Sequence, residues 1–399
     1  MSAIASAPGA LRLFALSIVA RLPQTMLSIG LLVHARHVTG SFGAAGLVTG
    51  AYAVALGVGG PALGQLVDRR GQTLVLVATA CAAVPLLAAA AVLPTGTPVP
   101  VVVALAIGIG LATPPMGACV RALFPGLVGD PQALRGAYSA DAAASELTWI
   151  AGPPLALALG VVWSTCAALA VAGVVLLVAT VAFAAQPASR AWRPVHDAAR
   201  PRGGGALGTP AMRTLVIALV AVGALFGAVE VAVTAAAREL GSTAAAGPLL
   251  GVWGAGSLVG GVLATRLGGG APGAKGLALV LLALTAGHVL LVPAAGSLVA
   301  LAAVLLVAGA AIAPTYATAY AMVDDAAPAG TVTEAFAWLA TAIAIGASAG
   351  AACAGTLVDG AGPVAAFALA AGAGAVAVLT ATLRAATLAA PPAPAAAAL

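Results

Sequence analysis

The sequence predicts an all-α integral membrane protein with twelve transmembrane helices in two pseudo-symmetric six-helix bundles. Its 399 residues are 62% hydrophobic and only 7% charged, whereas a soluble domain carries about 25% charged residues. Apolar runs long enough to cross a bilayer, about 17–25 residues each, follow one another along the whole chain. Short motifs of the first half also recur in the second half, which indicates an internal duplication.

Twelve apolar runs have bilayer-spanning length, and we number them spans 1 to 12. The first half of the chain contains the spans 12–35, 44–66, 74–93, 101–121, 138–159 and 164–185. The second half contains the spans 213–237, 245–265, 276–292, 298–321, 334–357 and 364–384. The stretch between the halves is polar and rich in Pro, Gly and Arg. These limits predict an N-terminal bundle at 1–186, a basic linker at 187–212 and a C-terminal bundle at 213–399.

Four patterns repeat between the two halves at offsets of 194 to 201 residues. Each pairs a stretch that begins with glycine with its copy: 40–46 with 241–247, 64–71 with 261–268, 110–115 with 309–314, and 136–152 with 330–346. Because the order of the patterns is the same in both halves, the halves are predicted to be collinear copies of six helices each.

The segment after span 2 reads Gly-Gln-Leu-Val-Asp-Arg-Arg-Gly from Gly64 to Gly71. Each charge in hydrocarbon costs about 2.5–3.5 kcal/mol, so Asp68, Arg69 and Arg70 are predicted to lie in a tight turn in water. In the second half Thr265 stands in place of the aspartate, ahead of Arg266. The pattern Gly-x-x-x-Asp-Arg-x-Gly after the second span resembles the loop signature of the major facilitator superfamily of transporters.

This resemblance implies two bundles that rock about a cavity at the midplane, so that access alternates between the two membrane faces. It also implies that the segment from Gly64 to Gly71 is a gating loop. We predict that Asp68 lies against the start of span 11, where free backbone N–H groups attract a carboxylate. The remaining predicted members of the gate lie on the same membrane face: Arg69, Arg70 and Arg266, with Asp324 and Asp325 as acidic partners of the arginines.

The distribution of basic residues predicts the orientation in the membrane. If the side of both termini is cytoplasmic, thirteen of the sixteen Lys and Arg lie there, against Arg36 and Arg238 outside and Arg21 within a span. The thirteen are Arg12, Arg69, Arg70, Arg121, Arg135, Arg190, Arg193, Arg200, Arg202, Arg213, Arg266, Lys275 and Arg384. We therefore predict a multi-pass protein of the cell (inner or plasma) membrane with both termini in the cytoplasm.

Charged residues inside the spans are the candidates for proton coupling. Arg21 of span 1 and Glu146 of span 5 have similar predicted depths, and we expect them to pair because an unpaired buried charge is costly. Glu230 of span 7 is the leading candidate for the proton carrier, since a lone carboxyl in a low dielectric favours its neutral form; the alternative is a satisfied polar contact. Asp141, near the start of span 5, is expected mainly to favour a helix N-terminus but stays a coupling candidate.

Span 5 also contains Gly152 and Pro153, and a Gly-Pro pair late in this helix resembles the antiporter motif of drug/proton exporters. Glycine is expected to allow close packing between the bundles, and proline to weaken the helix where it flexes. This copy departs from the family in having Thr148 where a glycine is usual. Six aromatic residues in spans near the expected cavity are candidates for its lining, with ordinary core packing as the alternative: Trp149, Phe226, Trp253, Tyr316, Tyr320 and Trp338.

The function that these patterns favour is a proton-coupled exporter of small amphipathic or hydrophobic molecules. The alternative within the same fold is proton-coupled uptake of a small nutrient. No metal-ligand cluster, nucleophile motif or phosphate loop stands in the sequence, so we expect neither enzyme activity nor a cofactor. The expected partners are a small-molecule substrate, protons and the lipid bilayer, without nucleic acid, and the expected state is a monomer.

Overall fold

The computed structural model describes residues 9–193, 205–267 and 273–389. The first half forms the helices α1 (Ala10–Thr39), α2 (Phe42–Arg70), α3 (Gln72–Ala91), α4 (Val99–Leu127), α5 (Pro131–Val162) and α6 (Thr165–Ala184). The second half begins with α7 (Pro210–Glu239), α8 (Thr243–Arg266), α9 (Gly273–Ala294) and α10 (Leu298–Ala326). The last helical segment, Val332–Leu383, changes direction at Gly362 and so forms α11 (332–361) and α12 (363–383). Within the described residues these helices confirm the predicted spans in number and order.

Gly362 joins α11 to α12 without any further loop residue. Its φ of 77° and ψ of 177° are open to glycine at little cost but not to a residue with a Cβ atom. Pro363 then begins α12, where its missing N–H group is one that the helix start does not need. A second connection at the same end of the helices is short as well, because only Trp163 and Ser164 separate α5 from α6.

The ends of the long helices lie on two opposite faces of the molecule, which we call the linker side and the opposite side. The linker side is the face where α2 ends, α3 begins, α6 ends and α7 begins, and the opposite side is the other face. On the linker side the chain forms a short helix, Pro187–Ala191, and a 3₁₀ turn, Gly205–Gly208. Arg200, Arg202 and Gly268 lie outside the described residues, and the division of the chain at 186–187 and 212–213 stays a prediction.

The repeated glycines serve the same packing role in both halves. In α4, a methyl group on Gly110 would lie 2.6 Å from the Tyr52 carbonyl oxygen of α2. In α10, a methyl group on Gly309 would overlap the Trp253 carbonyl oxygen of α8. Both helices also break next to this glycine: α4 is interrupted between Ala112 and Met116, and α10 between Gly309 and Ile312. The predicted duplication is therefore visible as two copies of one helix contact.

Gly152 of α5 and its repeat partner Gly346 of α11 form a second pair of equivalent contacts. A methyl group on Gly152 would overlap the Thr25 hydroxyl of α1, and one on Gly346 would overlap the Val220 carbonyl oxygen of α7. Both contacts lie inside a bundle. The expectation that Gly152 packs the two bundles against each other was therefore wrong, because its face of α5 points towards α1.

The bundles meet where α2 packs against α11 and where α5 packs against α8 and α10. Glycines again allow the closest approach: a methyl group on Gly64 of α2 would lie 2.8 Å from the Glu334 Cα atom of α11. At the equivalent place in the other half, a methyl group on Gly261 of α8 would lie 2.7 Å from the Ala143 Cβ atom of α5. Both close approaches lie towards the linker side.

Three helix ends differ from the prediction, and the differences move charges into the bundle. The predicted turn at Gly64–Thr73 is almost all helix, because α2 runs to Arg70, and Gly71 alone, with φ 94°, connects it to α3. α4 runs to Leu127 instead of ending near Arg121. α5 begins at Pro131, where the Asp130 side chain accepts the Ala133 N–H group at 2.7 Å and proline fits the first helical position.

Candidate functional site

Asp68, in the last turn of α2, binds the start of α11. Its Oδ1 atom accepts the Thr333 N–H group at 3.1 Å, and its Oδ2 atom accepts the Glu334 N–H group at 2.9 Å. The first N–H groups of a helix have no partner inside the helix and carry the positive end of its dipole, so they suit a carboxylate. The predicted contact between Asp68 and the start of α11 is therefore confirmed, and it joins the two bundles on the linker side.

The arginines of this motif do not reach the acidic residues of α10. Arg69 and Arg70 are exposed, and the two salt bridges found among the described residues involve neither of them. Asp324 instead accepts the Tyr138 hydroxyl of α5 at 2.9 Å. The predicted pairing of Arg69 and Arg70 with Asp324 or Asp325 was wrong, because the last turn of α2 directs Asp68 into the bundle interface and both arginines outward.

Three charged residues from three helices meet inside the N-terminal bundle. Asp141 of α5 is fully buried, and its Oδ1 atom lies 2.8 Å from Nη2 of Arg21 in α1. Its Oδ2 atom accepts the Nε–H group of Arg121 in α4 at 2.7 Å. Both arginine side chains are only 8% exposed. The interior of the bundle therefore contains two cationic groups against one carboxylate, which we call the buried triad.

The buried triad corrects three expectations. Arg21 pairs with Asp141 and not with Glu146, although both acids lie in α5. Asp141 does not serve a helix N-terminus, since it lies ten residues into α5, or about 15 Å along its axis. Arg121, predicted to end span 4 on the cytoplasmic side, is a buried residue inside α4, which continues to Leu127. The extension of α4 and α5 beyond the predicted spans explains the last two errors.

Glu146 and Glu230 belong to different bundles and lie outside the buried triad. The Glu146 carboxyl of α5 lies beside the Ser257 hydroxyl of α8, so that a residue of one bundle faces a residue of the other. The Glu230 side chain of α7 is exposed, and its charge acts on Tyr316 of α10. Neither carboxyl forms a salt bridge with the residues that the structure describes.

Aromatic rings form a continuous row from the N-terminal bundle across the interface into the C-terminal bundle. Tyr138 contacts Tyr320 at a centroid distance of 6.4 Å and Phe336 at 5.8 Å. The Arg121 guanidinium lies 3.9 Å above the centre of the Tyr320 ring, a geometry that favours a cation. The row then continues through Tyr316, Phe226, Trp253 and His288, with centroid distances of 5.5 to 6.0 Å.

Four of the six predicted lining residues thus belong to one aromatic row: Phe226, Trp253, Tyr316 and Tyr320. Trp149 of α5 is 55% exposed, and Trp338 of α11 is half-buried; neither forms a ring contact with the described aromatic residues. His288 is fully buried and accepts the Trp253 indole N–H group at 3.2 Å.

A family model described as the Major Facilitator Superfamily matches residues 13–287 of the sequence. No curated protein matches the sequence. The family match covers more than half of the chain and includes the Asp68 motif and all three residues of the buried triad.

Solved structures of transporters share the fold at low sequence identity. The human organic anion transporter MFSD10 superposes with a TM-score of 0.72 at 18% identity, over 92% of this chain and 97% of that one. A bacterial homologue of the iron transporter ferroportin, in an outward-facing state, superposes with a TM-score of 0.69 at 14% identity, over 94% of this chain and 98% of that one. The E. coli fucose:proton symporter FucP superposes with a TM-score of 0.69 at 15% identity, over 93% of this chain and 97% of that one.

Proposed function

The chain belongs to the Major Facilitator Superfamily, and on that premise we propose that it is a secondary transporter that exports small amphipathic or hydrophobic molecules in exchange for protons. The proposal places the substrate between the bundles, along the aromatic row that begins at Tyr320 and ends at Trp253. These rings are largely buried in this structure and carry large apolar area with few polar groups, which would suit an amphipathic molecule better than a polar nutrient when the bundles part.

The observation that carries proton coupling is the position of Glu146. Its carboxyl faces Ser257 across the bundle boundary, so its surroundings change whenever the bundles move apart. A carboxyl that is desolvated in one state and hydrated in the other binds its proton with different affinity in the two states. Glu230 lies near the same aromatic row and is the second candidate for the carrier.

Export is favoured by the resemblance of Gly152 and Pro153 to the antiporter motif. Uptake of a small nutrient stays the alternative, because structural relatives include a fucose:proton symporter as well as an iron transporter homologue. We propose further that both termini are cytoplasmic, with the linker side facing the cytoplasm, because twelve of the sixteen basic residues lie there by the predicted topology once the buried Arg121 is left out.

Everted membrane vesicles test this proposal. With the vesicle interior made acidic, so that protons flow outward, vesicles that contain the protein should accumulate an amphipathic dye from a panel of cationic, neutral and anionic dyes. We expect Glu146→Gln or Glu230→Gln to abolish proton-driven accumulation and to retain downhill exchange of dye, because a neutral amide cannot release a proton.

The matched control is Glu239→Gln, at the exposed end of α7, which should leave accumulation unchanged. Release of dye in place of accumulation would favour the uptake alternative. Full proton-driven transport in the double variant of Glu146 and Glu230 would exclude both as carriers.

A further inference from the structure

The terminal nitrogens of Arg121 form no hydrogen bond with the residues that the structure describes. Its Nε–H group is used by Asp141 at 2.7 Å, whereas its Cζ atom lies 3.9 Å above the centre of the Tyr320 ring. Arg21 differs, since its Nε, Nη1 and Nη2 atoms bind Ser17, Ser145 and Asp141. Arg121 therefore presents a free guanidinium fork, with two terminal amino groups, although its side chain is only 8% exposed.

The charge of the buried triad is also unbalanced. Asp141 offers one carboxylate to two guanidinium groups, so one positive charge lacks an anionic partner in this cluster. Burial of an unpaired charge is costly, and an aromatic face compensates only part of the cost. A bound oxyanion would supply the missing charge, and a carboxylate matches the two parallel donors of a guanidinium fork.

The position of this fork is suited to a transported molecule. Arg121 belongs to α4 of the N-terminal bundle, and the ring beneath it belongs to α10 of the C-terminal bundle. From that ring, Tyr316 and Phe226 continue the row with stacked and tilted contacts. A ligand whose acid group binds Arg121 can therefore rest its apolar part on rings of the other bundle.

We propose that Arg121 binds the carboxylate of the transported substrate, so that the substrate class is amphipathic organic carboxylates. This inference rests on the proposed transport function but not on its direction. The charges of Glu146 and Glu230 act on Tyr316, and both carboxyls repel a nearby anion when they are ionised.

The test uses the purified full-length protein in lipid nanodiscs and measures its Tm against the concentration of 2-naphthoate. The uncharged 2-naphthamide, of nearly the same shape, is the control ligand. We expect 2-naphthoate to raise Tm and 2-naphthamide to have no effect. Equal shifts by the two compounds, or no shift by 2-naphthoate, would overturn the inference.

Two arginine variants distinguish direct contact from a general effect of charge. Arg121→Gln should raise the concentration for half-maximal stabilisation about tenfold or more, the loss expected for a charge-assisted pair. The variant should fold, because Asp141 keeps its pair with Arg21. Arg21→Gln removes the same charge but no free donor, so it should weaken the 2-naphthoate effect clearly less than Arg121→Gln does. Equal losses in both variants would refute a specific contact with Arg121.

Two further variants complete the test. Arg121→Lys keeps the charge without the fork and is expected to bind 2-naphthoate several-fold more weakly; unchanged affinity would contradict the proposed contact. Glu146→Gln should strengthen 2-naphthoate binding, whereas weaker binding would indicate a site for cations. Dye transport in vesicles without any carboxylate effect would leave the proposed transport function intact and remove only this inference.

Discussion

At the scale of single residues, Asp141 is the group whose loss should harm the protein most. It is fully buried and is the anionic partner of both Arg21 and Arg121. Asp141→Asn would leave two buried guanidinium groups without a counter-charge, and we expect a loss of about 3–5 kcal/mol. The predicted result is a strongly lowered Tm and low yield of folded protein, measured by thermal denaturation in detergent.

The double variant Asp141→Asn/Arg21→Gln provides the control for this prediction. It removes one of the two unpaired charges and should recover part of the lost Tm. An additive loss in the double variant would show that the two residues do not interact energetically.

Asp141 and Arg121 also show what sequence reasoning could not predict about the site. Each lies at the edge of an apolar run, so a hydropathy boundary places it in a loop or a first helical turn. A charge that finds its partner on another helix can lie inside the bundle instead, and the rotation that brings three helices together is not encoded in hydropathy. The Asp130-Pro131 pair, a common helix start, was the available signal that α5 begins earlier.

At the scale of helices, glycine rows fix the packing inside the C-terminal bundle. Methyl groups on Gly346 and Gly350 of α11 would overlap the carbonyl oxygens of Val220 and Ala224 in α7. Gly346→Ala should therefore push these helices apart and lower Tm, at a cost of about 1–3 kcal/mol. Gly355→Ala in the same helix meets nothing within 4 Å and should leave Tm unchanged or raise it slightly. Equal effects of the two substitutions would contradict the proposed role of the row.

The close approach of α2 to α11 gives a second prediction at this scale. Gly64→Ala would place a methyl group 2.8 Å from the Glu334 Cα atom, whereas Gly60→Ala would meet only side-chain atoms at 3.8 Å or more. We expect Gly64→Ala to open the linker side and to expose the buried Cys119, which lies near Asp68.

The measurement is the rate at which N-ethylmaleimide modifies Cys119, followed by mass spectrometry. Gly64→Ala should increase this rate, and Gly60→Ala should resemble the parent protein. Unchanged modification in Gly64→Ala would show that the contact with α11 does not keep the linker side closed.

The order of the helices and the role of the repeated glycines could be predicted, because hydropathy and repeats are local properties of the sequence. The partner of each glycine could not. Gly152 packs against Thr25 within one bundle, whereas Gly64 packs against Glu334 of the other bundle, and only the direction of each helix face distinguishes the two cases.

At the scale of the whole molecule, the two halves make unequal contacts on the linker side. Asp68 binds free N–H groups because α11 begins opposite it. In the second half, Thr265 donates its hydroxyl to the Gly261 carbonyl oxygen of its own helix. The α5 residue that faces Gly261 is Ala143, which lies well inside α5, so no helix start lies opposite Gly261. We therefore expect Asp68→Asn to shift the protein towards the state open on the linker side, with Thr265→Ala as a neutral control.

Distances between spin labels at the linker-side ends of α2 and α10 measure this shift. Asp68→Asn should lengthen the mean distance, because an amide is a weaker partner for a helix N-terminus than a carboxylate. Identical distance distributions in Asp68→Asn and the parent protein would contradict the proposed gate.

The short connections on the opposite side limit the sites that proteases and binders can reach on that face. Gly362 alone joins α11 to α12, and two residues each join α1 to α2 and α5 to α6. Exposed loop tips are the preferred sites of proteolysis, and this face offers few of them, whereas the linker side presents the exposed Arg190 and Arg193. With the linker side in the cytoplasm, as proposed, trypsin should cleave everted vesicles more readily than right-side-out cells, and a binder raised against intact cells would have to recognise helix ends instead of long loops.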